Sequence, residues 1–429
     1  MVRNAFTAGI DFTQYFKNRL YYIDVKGMLS SLHGSAGAIT ALQNSVAHYY
    51  QRASSADYLG VDPTRRSLTG TGGYVKVGRK GNAKWNFSET FTWSSPGFDL
   101  NDMGYMKETD YLMNETEIMY RQTDIWKIFR YNAFTLSQKN MWNYGGTPFS
   151  NNASLRWQSM TMNRYEWDVK ETFAWNWLDS RLLRGGPDVR FGSYFLTSAK
   201  FNTDKAKRMM FMLKYEGDHN FEGNRFNTIS PSLTFRLGNH VYLSGQLDYA
   251  WNTDEMQYVA TTSPLSSSSL TPYYYVMGHM DQKTYGLTLK LQVNVTPDIS
   301  IQFYGAPFTS IAKYDDFKLA ADTKSHTFEN RFQRIDPDHL TYADGVYTIG
   351  EGAGQMPFRN PDFRFNEFRS NLVARWEYLP GSTLYFVWEH RMSNRDNWYS
   401  SGWGSNLDRM WGLPATNTFM IKMNYWFNL

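Results

Sequence analysis

Two pairs of carboxylates stand close enough along the chain for acid and base work, Glu108 with Asp110 and Asp315 with Asp316. A glycosidase sets such a pair across the scissile bond, one carboxyl protonating the leaving oxygen while the other attacks or activates water. Both pairs lie in segments with no apolar period, where nothing sets the separation of the two groups, so the non-catalytic reading is preferred. The eight histidines are dispersed, with His33 and His48 in one segment and His390 beside Glu389. No His-Glu-x-x-His, Gly-x-Ser-x-Gly or EF-hand spacing occurs, and the run from Gly73 to Lys80 lacks the Lys-Ser/Thr pair of a phosphate loop. The absence of cysteine removes disulfides, thiolate catalysis and zinc–thiolate sites together. No catalytic residue, cofactor or metal is assigned.

Rings gather where carboxylates do not converge. Residues 271–276 carry Tyr273 and Tyr274, and residues 397–412 carry Trp398, Trp403 and Trp411 among Asn, Asp and Arg. Flat rings edged by such groups stack on sugars or peptides. Trp and Tyr also collect at membrane–water boundaries because one end is apolar and the other wet, and this second explanation asks for less.

The elements that must hold these residues are strands. Trp85, Phe87, Glu89, Phe91 and Trp93 alternate with small polar residues, and Trp167 to Trp175 repeats the pattern with Glu171 at its centre. Tyr285, Leu287, Leu289, Leu291, Val293 and Val295 likewise alternate with Gly286, Thr288, Lys290, Gln292 and Asn294. Period two sorts each set onto one face of a strand, where a helix would scatter it. Trp, Tyr and Phe make up 17% of the chain, yet no run approaches the ~18 apolar residues of a membrane helix. That combination suits a transmembrane β-barrel, in which lipid-facing and lumen-facing residues alternate. With 44 basic and 40 acidic residues, the charge balance gives no argument for nucleic acid.

Tight turns are expected at Lys17 and Asn18, Lys80 to Asn82, Arg130 and Tyr131, Asn163 and Arg164, Thr203 and Asp204, Gly238 and Asn239, Pro297 and Asp298, and Pro380 to Ser382. Between them lie long connections, at 30–66, 96–114, 255–271, 315–364 and 395–415. Short turns at one end and long loops at the other are the layout of an outer-membrane barrel, all-β, antiparallel and up-and-down, with roughly 17 strands in this chain. Single-chain bacterial barrels normally have an even number, so 18 or more are expected in the complete protein, with 1–429 as one barrel domain, the C-terminal part of a longer chain. Residues 1–16 lack the apolar core and cleavage site of a signal peptide. The final segment, 416–429, resembles the C-terminal strand that barrel-insertion machinery reads, through Tyr425, Phe427 and Leu429, although that signal usually ends in Phe.

The first long connection, Ser35 to Arg52, reads as a short helix. It is followed by Asp57-Tyr-Leu-Gly-Val-Asp-Pro-Thr-Arg-Arg66 and by Ser95-Pro-Gly-Phe-Asp-Leu-Asn-Asp-Met-Gly-Tyr-Met-Lys-Glu-Thr-Asp110. This order resembles the C-terminal barrel region of outer-membrane proteins grouped as a domain of unknown function, number 5916. The resemblance implies an outer-membrane barrel, and longer members carry an N-terminal module like the family 9 carbohydrate-binding domains. It supplies no catalytic residues.

Within a barrel, Trp85, Trp93, Trp142, Trp167 and Trp175 would form aromatic girdles, and Glu89 would lie near mid-membrane facing outward. Gln122, Gln138, Ser159 and Glu171 fall near the same level by strand alignment, so the five form a candidate patch for contact with an envelope partner. Charges expected on the inner face are of both signs: Lys84, Lys170, Arg208, Glu216, Asp248, Lys290, Glu367, Arg369, Arg375, Glu377, Glu389, Arg391 and Lys422. A selective ion pore would show one sign. The leading expectation is uptake or capture of extracellular polymer-derived nutrients, glycans among them, by a protein in contact with outer-membrane lipid and a glycan or peptide ligand. The alternative is a non-transporting scaffold that docks envelope proteins through the polar patch.

Overall fold

The computed structural model describes residues 2–52, 57–101, 104–175, 177–238, 240–265, 273–396 and 402–427. Alternating side chains make seventeen long strands, each antiparallel to its neighbour in sequence. They are β1 (Val2–Phe16), β2 (Tyr21–Gly34), β3 (Ser67–Arg79), β4 (Trp85–Ser94), β5 (Tyr111–Gln122), β6 (Phe129–Trp142), β7 (Pro148–Thr161) and β8 (Glu166–Trp175). The meander continues through β9 (Tyr194–Asn202), β10 (Met209–Asn220), β11 (Arg225–Leu237), β12 (Val241–Thr262), β13 (Tyr274–Asn294) and β14 (Ile299–Ala320). It ends with β15 (Phe363–Leu379), β16 (Ser382–Asp396) and β17 (Ala415–Asn424). The three-residue strand Phe332–Arg334 joins the end of β14 and brings the sheet to eighteen. Among the described residues β1 pairs only with β2 and β17 only with β16, so the sheet has two free edges and does not close on itself.

One face is apolar and the other polar, and register keeps them so. Leu243, Leu247 and Tyr249 on β12 oppose Leu291, Leu287 and Tyr285 on β13, and the two tyrosine rings stack at 5.0 Å. A one-residue slip would carry this whole set to the other face, which is why a half-apolar pattern specifies register strongly. β12, β13 and β14 are 22, 21 and 22 residues long, about twice the ~9–11 that a tilted strand needs to cross a bilayer. Bulges at Asp254/Gln257, Tyr258/Ala260 and Met277/His279 mark where their upper halves leave the regular wall.

Those upper halves are packed on both faces. One face meets residues of 177–193 and 321–336 through Leu183, Val189, Met256, Met277 and Phe332. The other buries Val276, Phe317 and Leu319 against Ile349 and Phe358, which belong to a small separate sheet of Leu340–Ala343, Val346–Ile349 and Met356–Arg359. The connection expected at 315–364 is therefore shorter and more ordered, since 315–320 extends β14; 255–262 likewise extends β12.

Turns fall where expected except one. Arg130 and Tyr131 lie inside β6, and the turn is at 123–128, where Lys127 takes a left-handed φ of 53° and the backbone pairs Trp126 with Phe129. Asn239 lies outside the described residues. The expected helix forms as α1 (Ala36–Gln43), its first turn capped by the Ser35 hydroxyl, which accepts from the Ala38 N–H. A second helix, α2 (Trp403–Trp411), replaces the irregular loop expected at 395–415. The last strand stops at Asn424, so Tyr425 and Phe427 follow it, their rings packed edge to face at 4.7 Å; Leu429 lies outside the described residues.

Candidate functional site

On the apolar face the tryptophans fall into rows. Trp85, Tyr120, Phe134 and Trp157 are cross-strand partners in sequence near the tight turns, with Trp85 and Tyr120 rings 5.0 Å apart. Trp167 sits in the neighbouring row against Phe201 at 4.4 Å. Toward the long-loop end Trp93 and Trp142 share a row through Leu112, and Trp175 stands one step below. Trp85 and Trp93 are eight positions apart, roughly 20 Å of height at ~40° tilt, close to the ~25 Å apolar band of a membrane barrel.

The two glutamates in this band each have a partner on the next strand. Thr116 donates its hydroxyl to Glu89 at 2.6 Å, and Thr197 does the same for Glu171 at 2.7 Å. Glu89, Thr116 and Gln138 form one register row across β4, β5 and β6. The row above it is Asn114, Asn140 and Asn151, which enlarges the patch with residues that sequence reasoning passed over. Gln122 and Ser159 do not join it. They share a different row through Asn132, six residues nearer the tight turns, or about 20 Å along the strand. A turn at Arg130 and Tyr131 would set Gln122 opposite Lys139, whereas the turn at 123–128 sets it opposite Asn132. Ser159 is buried there, and Glu171 is two residues off the Glu89 row.

The polar face is a lattice of paired charges. Glu367 accepts from Arg369 and Arg391, both at 2.8 Å; Lys214 meets Glu216 at 2.8 Å; Arg156 forks onto Asp168, and Arg375 donates through Nη2 to Glu377. Gln246 donates to Asp248. Such pairing leaves a wet wall without a dominant sign of charge.

Above the wall the long connections lock together. His48 sets both ring nitrogens against oxygens, Pro96 O at 2.8 Å and Asp99 Oδ2 at 3.0 Å, tying 35–66 to 95–110. Burial pushes the Asp99 carboxyl up, but the bonds from His48 and from the Asn101 backbone N–H outweigh it and leave the group below the usual carboxylate range. A carboxyl held lower in the folded than in the unfolded chain stabilises the fold above its unfolded pKa, near 3.9, and that contribution is lost as the pH falls through the folded value. Hydrogen exchange in 35–52 and 96–101 should therefore quicken relative to the wall below about pH 4. An Asp99→Asn chain should lose that pH step; a step unchanged by the substitution would assign it elsewhere.

Next to this contact, Asp110 is fully buried and takes Arg52, the Tyr58 hydroxyl and the Tyr144 N–H. Burial, followed by that hydrogen bond, pushes Tyr58 well above the usual phenol range. Glu108 is tied to Arg181 at 3.5 Å. Asp316 sits between Lys318 at 3.4 Å and Arg334 at 3.7 Å. Glu108, Asp110 and Asp316 are thus each taken up in an ion pair. A second tie crosses the cap: Arg331 is buried and forks onto Glu222 at 2.7 and 2.9 Å, while also donating to the carbonyl oxygens of Arg190 and Ser325.

Of the ring clusters, Tyr274 opens β13, while Tyr273 precedes it and is exposed. Trp398 lies outside the described residues. Trp403 begins α2, and Trp411 ends it, packed edge to face on Phe368 at 4.9 Å. Phe368 belongs to the apolar face of β15, so Trp411 joins the outside of the wall.

No curated protein matches the chain. Among solved structures it is similar to the siderophore receptor PirA from Acinetobacter baumannii, at 9% identity and a TM-score of 0.39, over 98% of this chain and 70% of that one. The family model described as "Domain of unknown function (DUF5916)" matches residues 33–429. The chain, an antiparallel eighteen-stranded sheet under a cap of interlocked connections, belongs to that family.

Proposed function

We propose that the chain is the wall of an outer-membrane β-barrel that takes up or captures extracellular polymer-derived nutrients, glycans among them, with its long connections on the extracellular side. One observation carries the reading: a single sheet bears two belts of tryptophan on one face and paired charges on the other. In water, an exposed array such as Phe6, Ile10, Phe12, Phe419 and Ile421 on the edge strands would be an aggregation surface. In lipid it is the favourable face. β1 and β17 both run toward the tight-turn end, so one strand running opposite to both would complete an even, fully antiparallel ring. Tyr425, Phe427 and Leu429 would present the insertion signal to the barrel-assembly machinery.

In proteoliposomes, radiolabelled neutral oligosaccharides should enter or be retained, and deleting 337–360 should change the rate, because that segment packs on the strand tops of the mouth. A complete protein sealed to solutes and unable to hold oligosaccharide would end the uptake reading.

A second reading rests on the outward polar row. A scaffold that docks an envelope partner would use Glu89, Gln138 and Glu171, since each polar group in lipid is costly unless paired. The triple change to Leu should then abolish co-purification of the partner while leaving folding intact. Retained assembly, together with a barrel that is no less stable, would show that Thr116 and Thr197 are partners enough.

A further inference from the structure

We infer that α2 is a membrane-surface helix, seated outside the wall in the lipid headgroup layer with Trp411 as its anchor; the inference rests on the membrane reading above. The position follows from register. Toward this end of the sheet the apolar face carries a row of Leu372, Trp388 and Phe419, with the rings of Trp388 and Phe419 stacked at 6.0 Å. One step higher the row turns polar, Ser370, His390 and Asn417, and the Trp388 indole N–H donates up to Asn417 at 2.9 Å. A ring in the apolar layer with its N–H turned to polar groups marks a hydrocarbon boundary.

Phe368 and Met392 stand one row further. They are four residues from Leu372 and Trp388, roughly 13 Å along the strand and about 10 Å of height at ~40° tilt. The polar row of Ser370, His390 and Asn417, about 5 Å above the rings, ends the hydrocarbon, and Phe368 and Met392 stand about 5 Å beyond it, within the ~5–8 Å of headgroups. α2 covers their row. Asn406 and Met410, one turn apart, are fully buried against the wall, and Met392 is buried beneath. Arg364, on the same face of β15, forms an ion pair with Asp396 and donates to Asn406 at 3.4 Å. The helix therefore closes over the buried Arg364 of a partly exposed ion pair on the apolar face of the sheet. Away from the wall it exposes Ser405, Asp408 and Arg409, while Trp411 is 56% exposed beside Phe368. A short helix with exposed polar residues, whose large exposed ring sits over Phe368, nearer the membrane than the Arg364–Asn406 contact, fits a bilayer surface.

The chain has no cysteine, so single labels can be placed without background. Trp411→Cys, Ser405→Cys and, as a mid-belt control on β13, Leu289→Cys would carry an NBD dye. The protein would sit in dioleoylphosphatidylcholine vesicles containing lipids spin-labelled at the headgroup, carbon 5 or carbon 12. At 411 the headgroup and carbon-5 labels should quench at least about two-fold more than carbon 12, and at 289 the order should reverse. Position 405 should respond to the headgroup label alone and keeps the test open if Trp411→Cys fails to fold. Dyes at 405 and 411 that answer only to aqueous iodide, with 289 still quenched by lipid, would overturn the inference and leave the membrane reading standing. Loss of lipid quenching at 289 as well would remove both.

Discussion

Arg331→Ala should free the cap while leaving the wall folded, with a local loss of about 3–5 kcal/mol, the usual result of stranding one half of a buried ion pair. Arg331 is 1% exposed and serves three separate connections, since its guanidinium meets Glu222 between β10 and β11, Arg190 O after β8, and Ser325 O and His326 O of its own segment. Without it the Glu222 carboxylate loses both of its charge-assisted bonds from the guanidinium, keeping the Gly192 N–H. Hydrogen exchange across 177–193 and 321–336 should rise by two to three orders of magnitude, at about 1.4 kcal/mol per factor of ten, and the cap should become cleavable by protease. Replacing Arg331 by Met together with Glu222 by Leu should recover much of the loss, because an apolar pair of similar volume carries no desolvation penalty. If Arg331→Ala leaves exchange in both segments unchanged, the cap is held by Leu183, Val189 and Phe332 and the ion pair is incidental.

The second large effect concerns the two faces of one strand. Leu289→Arg should cost about 2–4 kcal/mol of folding stability in a bilayer, the price of a cation on the lipid side near mid-height. Leu289 opposes Gly245 and Gly305, and its methyl group fills the space over Gly245, so the substitution also opens a gap. Thr288→Arg, one residue away, faces Gln246 on the polar side and should cost little. Urea unfolding in lipid vesicles would read both. Equal costs at 288 and 289 would mean that the two faces see the same medium.

The wall was legible because period two is a local property. Each strand carries its own alternation, and turns such as Gly381, with φ of 79°, show their glycine in sequence. The misplaced turn at Arg130 has a physical cause. The true turn holds Ile125, Trp126 and Ile128, all exposed, and a reading that expects polar turn residues assigns such a run to a strand. Rings at that level, with Trp126 stacked on Phe129, suit a boundary with lipid, where an exposed apolar turn is not penalised. α2 was hidden by Gly402, Gly404 and Gly412, which argue for a loop; buried contacts of Asn406 and Met410 override that preference. The cap contacts could not be read at all. His48 and Asp99 are separated by 51 residues, Glu222 and Arg331 by 109, and nothing in a local pattern brings such groups together. The polar patch was half legible: Glu89 and Gln138 stand in one row because adjacent registers are regular, whereas the turn at 123–128 sets Gln122 opposite Asn132, in the lower row that also holds Ser159.

The central claim is that the face bearing the tryptophan belts lies in lipid. Single cysteines at successive positions from Tyr285 to Val293 on β13, in the full chain reconstituted into vesicles, test it most directly. A membrane-impermeant maleimide should label Gly286, Thr288, Lys290 and Gln292 positions and spare Tyr285, Leu287, Leu289, Leu291 and Val293, while lipid spin labels quench the spared set alone. Uniform labelling along the strand, with no alternation between the two sets, would contradict the account.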